Sequence, residues 1–495
     1  MFSRLILRRF SSQPIPSQIK DIIEKKPINE YITVNGWVKA LRRMKKIKFL
    51  DLDDGSTSQK LQVLLPSSFD LSRLSYHSGV TVTGTIKESS HPKQEIELHA
   101  DKIQSHGSWS GDVSYPFAIR QSVPMDYVRQ FQHVRSRTNT FSSILRLRAQ
   151  TRACLTEHYA RTGFLQVDTP ILTSNECEGG GATFSLQTEE GKKNKEALFF
   201  GKDVFLSVSG QMHLEALANG LSSVYTFNPA FRAEESLGRR HLAEFWMVEA
   251  EEAFVEGEAG LEHLLDRVEA LVRDTIHNVL ERGGEDIKLM FKQNTATEGI
   301  LREALSKPFA RITFAEALQR LSSAPKSQSS RGGDDDEKDS NASIKQDSDV
   351  RESERRSSDV VVADDSNSDL RREDELLLTE LLNGPVFVTH WPAHGRPFYM
   401  ARSLDHPDKV LCADLLLPGV GEVAGGSVRE QNPLALQQRL PRTQNLNWYL
   451  QLRQWGSVPT AGYGLGFERL LLFLLGANTV KDVIPFPRWP KHCEH

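Results

Sequence analysis

The stretch Phe231–Glu249 gathers residue types that together could handle a nucleotide and an amino acid. It reads as strand, short charged loop, strand. Strand alternation predicts Arg232 and Glu234 on one face. The loop adds Arg239, Arg240 and His241, and the return strand brings Phe245 and Glu249. A cationic cluster, a carboxylate and an aromatic plate suit a triphosphate, an ammonium or amide, and a purine ring. Arginine supplies the planar, bidentate grip that phosphate needs. A salt-bridged surface hairpin would use the same residue types, but other segments supply the parts that such a hairpin lacks.

Asp414 and Glu422 close the segment Asp414–Glu422 with two hard oxygen donors. Mg²⁺ is commonly held by a few carboxylates plus substrate phosphates. Asp414 fits equally well as a turn or strand-end residue. Ser174–Gly181 carries three consecutive glycines and reads as a loop able to hinge. Gly462, Gly464 and Gly466 precede Arg469 and an apolar run, Leu470–Leu475, whose leucines suit a core helix. The chain has no G-x-x-x-x-G-K-[ST], H-E-x-x-H or G-x-S-x-G pattern.

With Gly163–Pro170 as a first motif, Phe231–Glu249 as a second and Gly462–Arg469 as a third, in that order, the chain resembles the class II aminoacyl-tRNA synthetases. Within them it resembles the aspartate, asparagine and lysine subgroup, and its asparagine branch most closely, over about residues 27 to 488 apart from one insertion. The resemblance implies an α/β (α+β) chain: an N-terminal OB-fold β-barrel and a catalytic domain with an antiparallel sheet flanked by helices. It implies ATP as substrate, Mg²⁺ as cofactor, L-asparagine and tRNA(Asn) as partners, and a homodimer through the first motif. Arg232 is then the α-phosphate ligand, Arg240 and His241 reach the outer phosphates, and Phe245 stacks on adenine with Arg469 over the opposite face. Leu242, Gly466, Phe467 and Glu468 complete the implied ATP contacts, and Glu422 bridges the metal. Glu178, Gln211, Glu234 and Arg429 are the implied amino-acid ligands, with Arg232, Glu234, Arg429 and Arg469 as the catalytic set.

The choice of amino acid rests on charge. Aspartate enzymes of the subgroup typically place a lysine three residues after the position of Gln211, and here Leu214 stands there. Losing that cation favours a neutral amide, with Arg429 donating to the side-chain oxygen and Glu234 accepting from the NH₂ and repelling a carboxylate. His390-Trp391-Pro392 and Val428 depart from the subgroup's usual residues. An aspartyl enzyme with relaxed tRNA choice, a non-catalytic tRNA-binding paralogue and a paralogue making free asparagine are the competing readings.

These parts need scaffolds. Residues 28 to 105 read as five short strands with turns, a pattern that predicts a small barrel. Between its first two strands Lys39–Lys48 packs six Lys/Arg into ten residues, a local phosphate-binding patch expected on a loop. Phe49 fits either the barrel core or, as the resemblance implies, a platform for an anticodon base. The expected domains are 27–106 for the barrel, 107–130 for a hinge and 131–495 for the catalytic domain. Apolar positions from Asn139 to Arg161 recur at helical spacing, and Gly163 ends that run. Residues 325–374 lack aromatics and are rich in Ser, Asp, Arg and Glu, so a disordered insertion is expected there, removable without loss of activity.

The 495 residues suffice for two or three domains, and a net charge of −4 hides any RNA partner in local patches. Cys154, Cys177, Cys412 and Cys493 are scattered, which suggests reduced thiols and no structural zinc. The longest apolar run is too short to span a bilayer, so no membrane partner is expected. Residues 1–20 carry Arg4, Arg8 and Arg9 and no acid, the composition of a transit peptide. A mitochondrial matrix address is expected, with removal between Phe10 and Ser17 and a plastid as the other possible destination.

Overall fold

The computed structural model describes residues 16–45, 47–91, 94–107, 115–117, 123–175, 183–188, 198–324, 369–441 and 446–495. Two compact units divide the chain, one of residues 1–147 with 283–290 and one of residues 148–282 with 291–495.

In the first unit, strands β1 (Tyr31–Arg43), β2 (Ile47–Asp53), β3 (Leu61–Pro66), β4 (Gly79–Glu88) and β5 (Ile96–Gly107) close into a barrel in the order β1-β2-β3-β5-β4. Period-two alternation turns Leu50, Leu52, Leu61, Val63, Leu65, Val80, Val82 and Ile86 inward, where all are buried. The helix Ile19–Lys25 adds Ile19 and Ile22 to that core. The folded barrel therefore takes in residues that the expected 1–20 leader would have included. Residues 1–15 lie outside the described residues.

The basic segment Lys39–Lys48 is a hairpin and not an open loop: β1 runs on to Arg43 and β2 starts at Ile47. Most of its cations are already committed. Lys39 is buried, 3.3 Å from Asp53, and donates to the Arg137 carbonyl. Burial drives its ammonium below the usual range, against the pull of Asp53. Arg43 donates to the Leu71 carbonyl and Lys48 to that of Ser67. The Arg137 contact, with Arg146 donating to the Gly55 carbonyl, carries this unit to residue 147, past the expected boundary at 130.

The second unit is built on an eight-stranded sheet. Its strands are β6 (Leu165–Gln166), β10 (Ser223–Phe231), β11 (Glu244–Ala253), β12 (Ala310–Thr313), β13 (Val386–Thr389), β14 (Cys412–Leu417), β15 (Gly421–Val428) and β16 (Thr460–Gly466). Three shorter strands, β7 (Leu172–Thr173), β8 (Ser185–Leu186) and β9 (Val204–Leu206), form a separate small sheet. The large sheet has the order β12-β13-β14-β15-β16-β11-β10-β6. Its centre is antiparallel, while β12/β13 and β6/β10 at the two ends are parallel. The helix Gly257–Arg282 buries Leu261, Leu264, Leu265, Val268, Leu271, Val272 and Ile276. Tyr159 stacks on Tyr225 at 4.1 Å and shares a 2.8 Å hydrogen bond with Tyr463. The helix Arg372–Leu381 begins three residues inside the stretch expected to be a disordered insertion, and residues 325–368 lie outside the described residues.

Candidate active site

Strand register explains why distant segments meet. β10 pairs with β11 so that Phe231 faces Glu244, β11 pairs with β16 so that Met247 faces Gly466, and β15 pairs with β16 so that Ala424 faces Leu465. The end of β10, the start of β11, the end of β16 and the start of β15 thus share one end of the sheet. Arg232, Phe245, Arg469 and Glu422 sit at those ends. β10 stops at Phe231, so Arg232 and Glu234 stand beyond the strand and not on its face. Hairpin closure positions Arg232 instead: its N–H donates to the Ala243 carbonyl at 3.0 Å, and its guanidinium lies 5.4 Å from the centre of the Phe245 ring.

The cationic groups converge on Glu422. Arg469 Nη1 donates to the Glu422 carbonyl and to Oε2, both at 3.1 Å. Burial works to raise the Glu422 carboxyl, but Arg469, Arg232 and Arg240 outweigh it and hold the group below its usual value. Asp414 is the opposite case, pushed well above the carboxylate range by burial and then by the charge of Glu422. The two carboxylates meet over Gly425, where a Cβ would lie 3.2 Å from Asp414 Oδ1 and 3.8 Å from Glu422 Oε1. Two hard donors crowding each other fit a divalent cation that also takes phosphate oxygens. No group of three His, Cys, Asp or Glu suited to a metal occurs among the described residues.

Arg240 is braced from the side. Its Nη1 donates to Glu375 Oε2 at 2.7 Å and to the Val420 carbonyl at 3.0 Å. His241 meets Ser236 Oγ at Nδ1, 3.0 Å away. Burial, then Arg469, depresses the imidazole's affinity for a proton, so the ring is neutral at neutral pH.

β11 carries Phe245, Met247, Glu249 and Glu251 on one face by alternation. Opposite them in register, Gly466, Gly464 and Gly462 of β16 present no side chains. The Gly462 position has no room for one, since a Cβ would fall 1.9 Å from Glu251 Oε2 and 2.4 Å from the Ala250 carbonyl. Glu251 grips Arg429 bidentately, Nε to Oε1 at 2.9 Å and Nη2 to Oε2 at 2.7 Å, while Nη1 donates to Ser427 Oγ at 2.6 Å. Arg429 is 2% exposed, so its charge is matched inside the protein. Glu249, also buried, accepts from the Gly210 N–H and from Ser209 Oγ and feels the charges of Arg232 and Arg429. Gln211 opens the helix Gln211–Leu221, and its Nε2 is buried without a hydrogen-bond partner among the described residues. Leu214 is buried in an apolar cluster with Ala218 and Val224.

Several expected ATP contacts point elsewhere. Phe467 is 1% exposed and packs edge-on against Phe227 at 4.9 Å. Glu468 is buried, pairs with Arg148 at 2.7 Å and accepts from the Trp246 N–H at 2.9 Å. The Leu242 side chain is buried too. The physical reason is the turn of the helix Phe467–Leu475, which sends its first two side chains inward and lets Arg469 return to the sheet end. Glu178 lies outside the described residues. Glu375 and Glu251 were missed. Glu375 reads as the tail of an acidic tract, and Glu251 as one more strand carboxylate; only its i+2 spacing from Glu249 hinted at a shared face.

In the barrel, Phe49 faces away from the core that Leu50 and Leu52 enter. It is half-buried on the outer surface with the Arg42 guanidinium 5.5 Å from its ring centre, and Arg42 also pairs with Asp51 at 3.0 Å.

Residues 124–490 match the family model of class II tRNA synthetases (D, K and N), and residues 32–105 that of the OB-fold nucleic acid binding domain. The chain is 38% identical to a mouse (Mus musculus) asparaginyl-tRNA synthetase over 470 residues, covering 94% of this chain and 91% of that one. It is 36% identical to a mitochondrial asparagine–tRNA ligase of Schizosaccharomyces pombe, covering 96% and 97%. Among solved structures it superposes with a TM-score of 0.77 on asparaginyl-tRNA synthetase from Pyrococcus horikoshii complexed with asparaginyl-adenylate, at 28% identity and covering 97% and 100%.

Proposed function

The chain belongs to the class II tRNA synthetases of the D, K and N group, and on that premise we propose that it activates L-asparagine with ATP and transfers it to tRNA(Asn). The observation that carries the chemistry is the convergence of Arg232, Glu422 and Arg469 at one sheet end. In the first step an asparagine carboxylate oxygen attacks the α-phosphorus, the bond to the β-phosphate oxygen breaks, and pyrophosphate leaves. The nucleophile is already an anion, so no general base is required. What the protein must do is bring two anions into line and stabilise charge on the phosphoryl oxygens.

In this reading Arg232 spans the α-phosphate and the amino-acid carboxylate and Phe245 is the plate for adenine, roles supported by the guanidinium lying 5.4 Å from the Phe245 ring centre at the shared sheet end. Arg240 and neutral His241 face the outer phosphates. A Mg²⁺ held by Glu422 and Asp414 would neutralise the triphosphate and the leaving pyrophosphate. Gln211 offers an unpaired buried amide N–H to the substrate. Because Glu251 compensates Arg429 and Leu214 supplies no cation, the side-chain pocket favours a neutral amide over a second carboxylate. In the second step the terminal ribose 3′-hydroxyl of the tRNA attacks the activated carbonyl, the bond from that carbon to the phosphate oxygen breaks, and AMP leaves while the hydroxyl proton is released.

The surface placement of Phe49 supports its role as a stacking platform for an anticodon base, with Arg42 moving aside. A homodimer through Gly163–Pro170 is supported by exposed Leu165, Ile171 and Leu172 around that segment. The arginine-rich, acid-free start of the sequence supports import into mitochondria.

ATP–pyrophosphate exchange with the purified protein tests the reading. Exchange should depend on asparagine and be at least ~100-fold weaker with aspartate. Exchange driven by aspartate instead would replace the asparagine assignment, and none with either would remove the activation site.

A further inference from the structure

The helix Arg372–Leu381 follows directly on the polar segment 325–368, and nothing in its sequence marks it as part of an active site. Yet its first turns reach the activation centre. Glu375 Oε2 accepts from Arg240 Nη1 at 2.7 Å and from the Glu422 backbone N–H at 3.1 Å. One carboxylate oxygen thus ties the outer-phosphate arginine to the start of β15. The Arg240–Glu375 pair is mostly buried, the side chains being 13% and 12% exposed. Gly421, with φ of +87°, lies against both: a Cβ there would fall 2.2 Å from Glu375 Oε2 and 2.5 Å from Arg240 Nη1. The helix is itself fixed at its start by Asp374, whose Oδ2 accepts from the Arg371 backbone N–H at 3.2 Å and from Arg371 Nε at 3.0 Å.

We infer that Glu375 is a positioning residue of the activation site, holding Arg240 by a single nitrogen so that its remaining edge meets the outer phosphates of ATP, and fixing the backbone from which Glu422 projects. The geometry favours bracing over obstruction. Glu375 and Val420 both bind Nη1, while Nε and Nη2 of Arg240 have no hydrogen-bond partner among the described residues. That leaves the bidentate edge of the guanidinium presented to an incoming anion. An arginine on an exposed loop would lose side-chain freedom on binding phosphate; one already held loses less.

The inference rests on the ATP site proposed above, and the test separates the two. Wild-type protein without asparagine-dependent exchange would defeat that site before this residue is at issue. With wild type active, E375A should raise the KM for ATP about tenfold, move the KM for asparagine little, and weaken a non-hydrolysable ATP analogue by a similar factor in calorimetry. E375Q, which keeps the oxygen acceptor, should recover most of the loss. G421A keeps both charges and forces them apart, so it should reproduce the ATP defect and serves if E375A folds poorly. Unchanged or tighter ATP binding in folded E375A would show a carboxylate that merely screens the arginines, and would overturn the inference. Equal losses toward both substrates, with a lowered melting temperature, would reduce Glu375 to a structural contact and overturn it too.

Discussion

On the proposed reading, Arg232 is the residue on which the chemistry turns. It is fixed by the closing hydrogen bond of its hairpin and by the ring of Phe245, and it acts electrostatically on both Glu422 and Glu249. Arg232→Ala should therefore cut adenylate formation by ~10³-fold or more while leaving the melting temperature nearly unchanged. Near-normal pyrophosphate exchange by that variant would contradict the assignment. Residue types announced much of this site, since arginines, an aromatic and two carboxylates in the right segments are uncommon together. What they could not announce was orientation. Phe467 and Glu468 sit beside Arg469 in sequence yet turn into the core, because a helix separates neighbours by about 100°. Arg429 reads as a free ligand until β11, one strand beyond β16, supplies Glu251 across the sheet.

At the scale of elements, alternation and turn chemistry made the barrel and the long helix from Asn139 legible, and the observed helix spans Asn139–Arg161. Boundaries set by composition fared less well. The polar tract gives way to structure at Asp369, because Leu370 is buried in a cluster with Trp391 and Leu378. That placement separates two deletions. Removing 325–366 should leave exchange within about threefold of wild type. Removing 325–374 takes away Leu370 and the cap that starts the helix of Glu375, and should cost ~10-fold or more in kcat/KM for ATP. Equal activity of the two proteins would show that the helix start is dispensable.

Across the molecule as a whole, acid sensitivity should begin in the barrel unit. His77 packs against Trp37 at 5.6 Å and is held in a left-handed backbone conformation, φ 65°. Burial, then Lys39 and Arg137, push its proton affinity down to about 4 from 6.5. The unfolded chain therefore binds the proton more readily than the folded one. Stability is full above about pH 6.5 and declines as pH falls toward about 4. His77→Asn, which tolerates the same backbone, should flatten that decline in denaturation midpoints read at pH 7 and pH 4.5. A wild-type midpoint no more acid-sensitive than the variant's would refute it. The glycine row of β16 has its own consequence for pharmacology. A compound laid along it would touch peptide groups that the protein has little freedom to remodel. Even an alanine at Gly462 would collide with Glu251 and with the main chain before it reached any inhibitor, so resistance through that residue would disable the enzyme that acquired it.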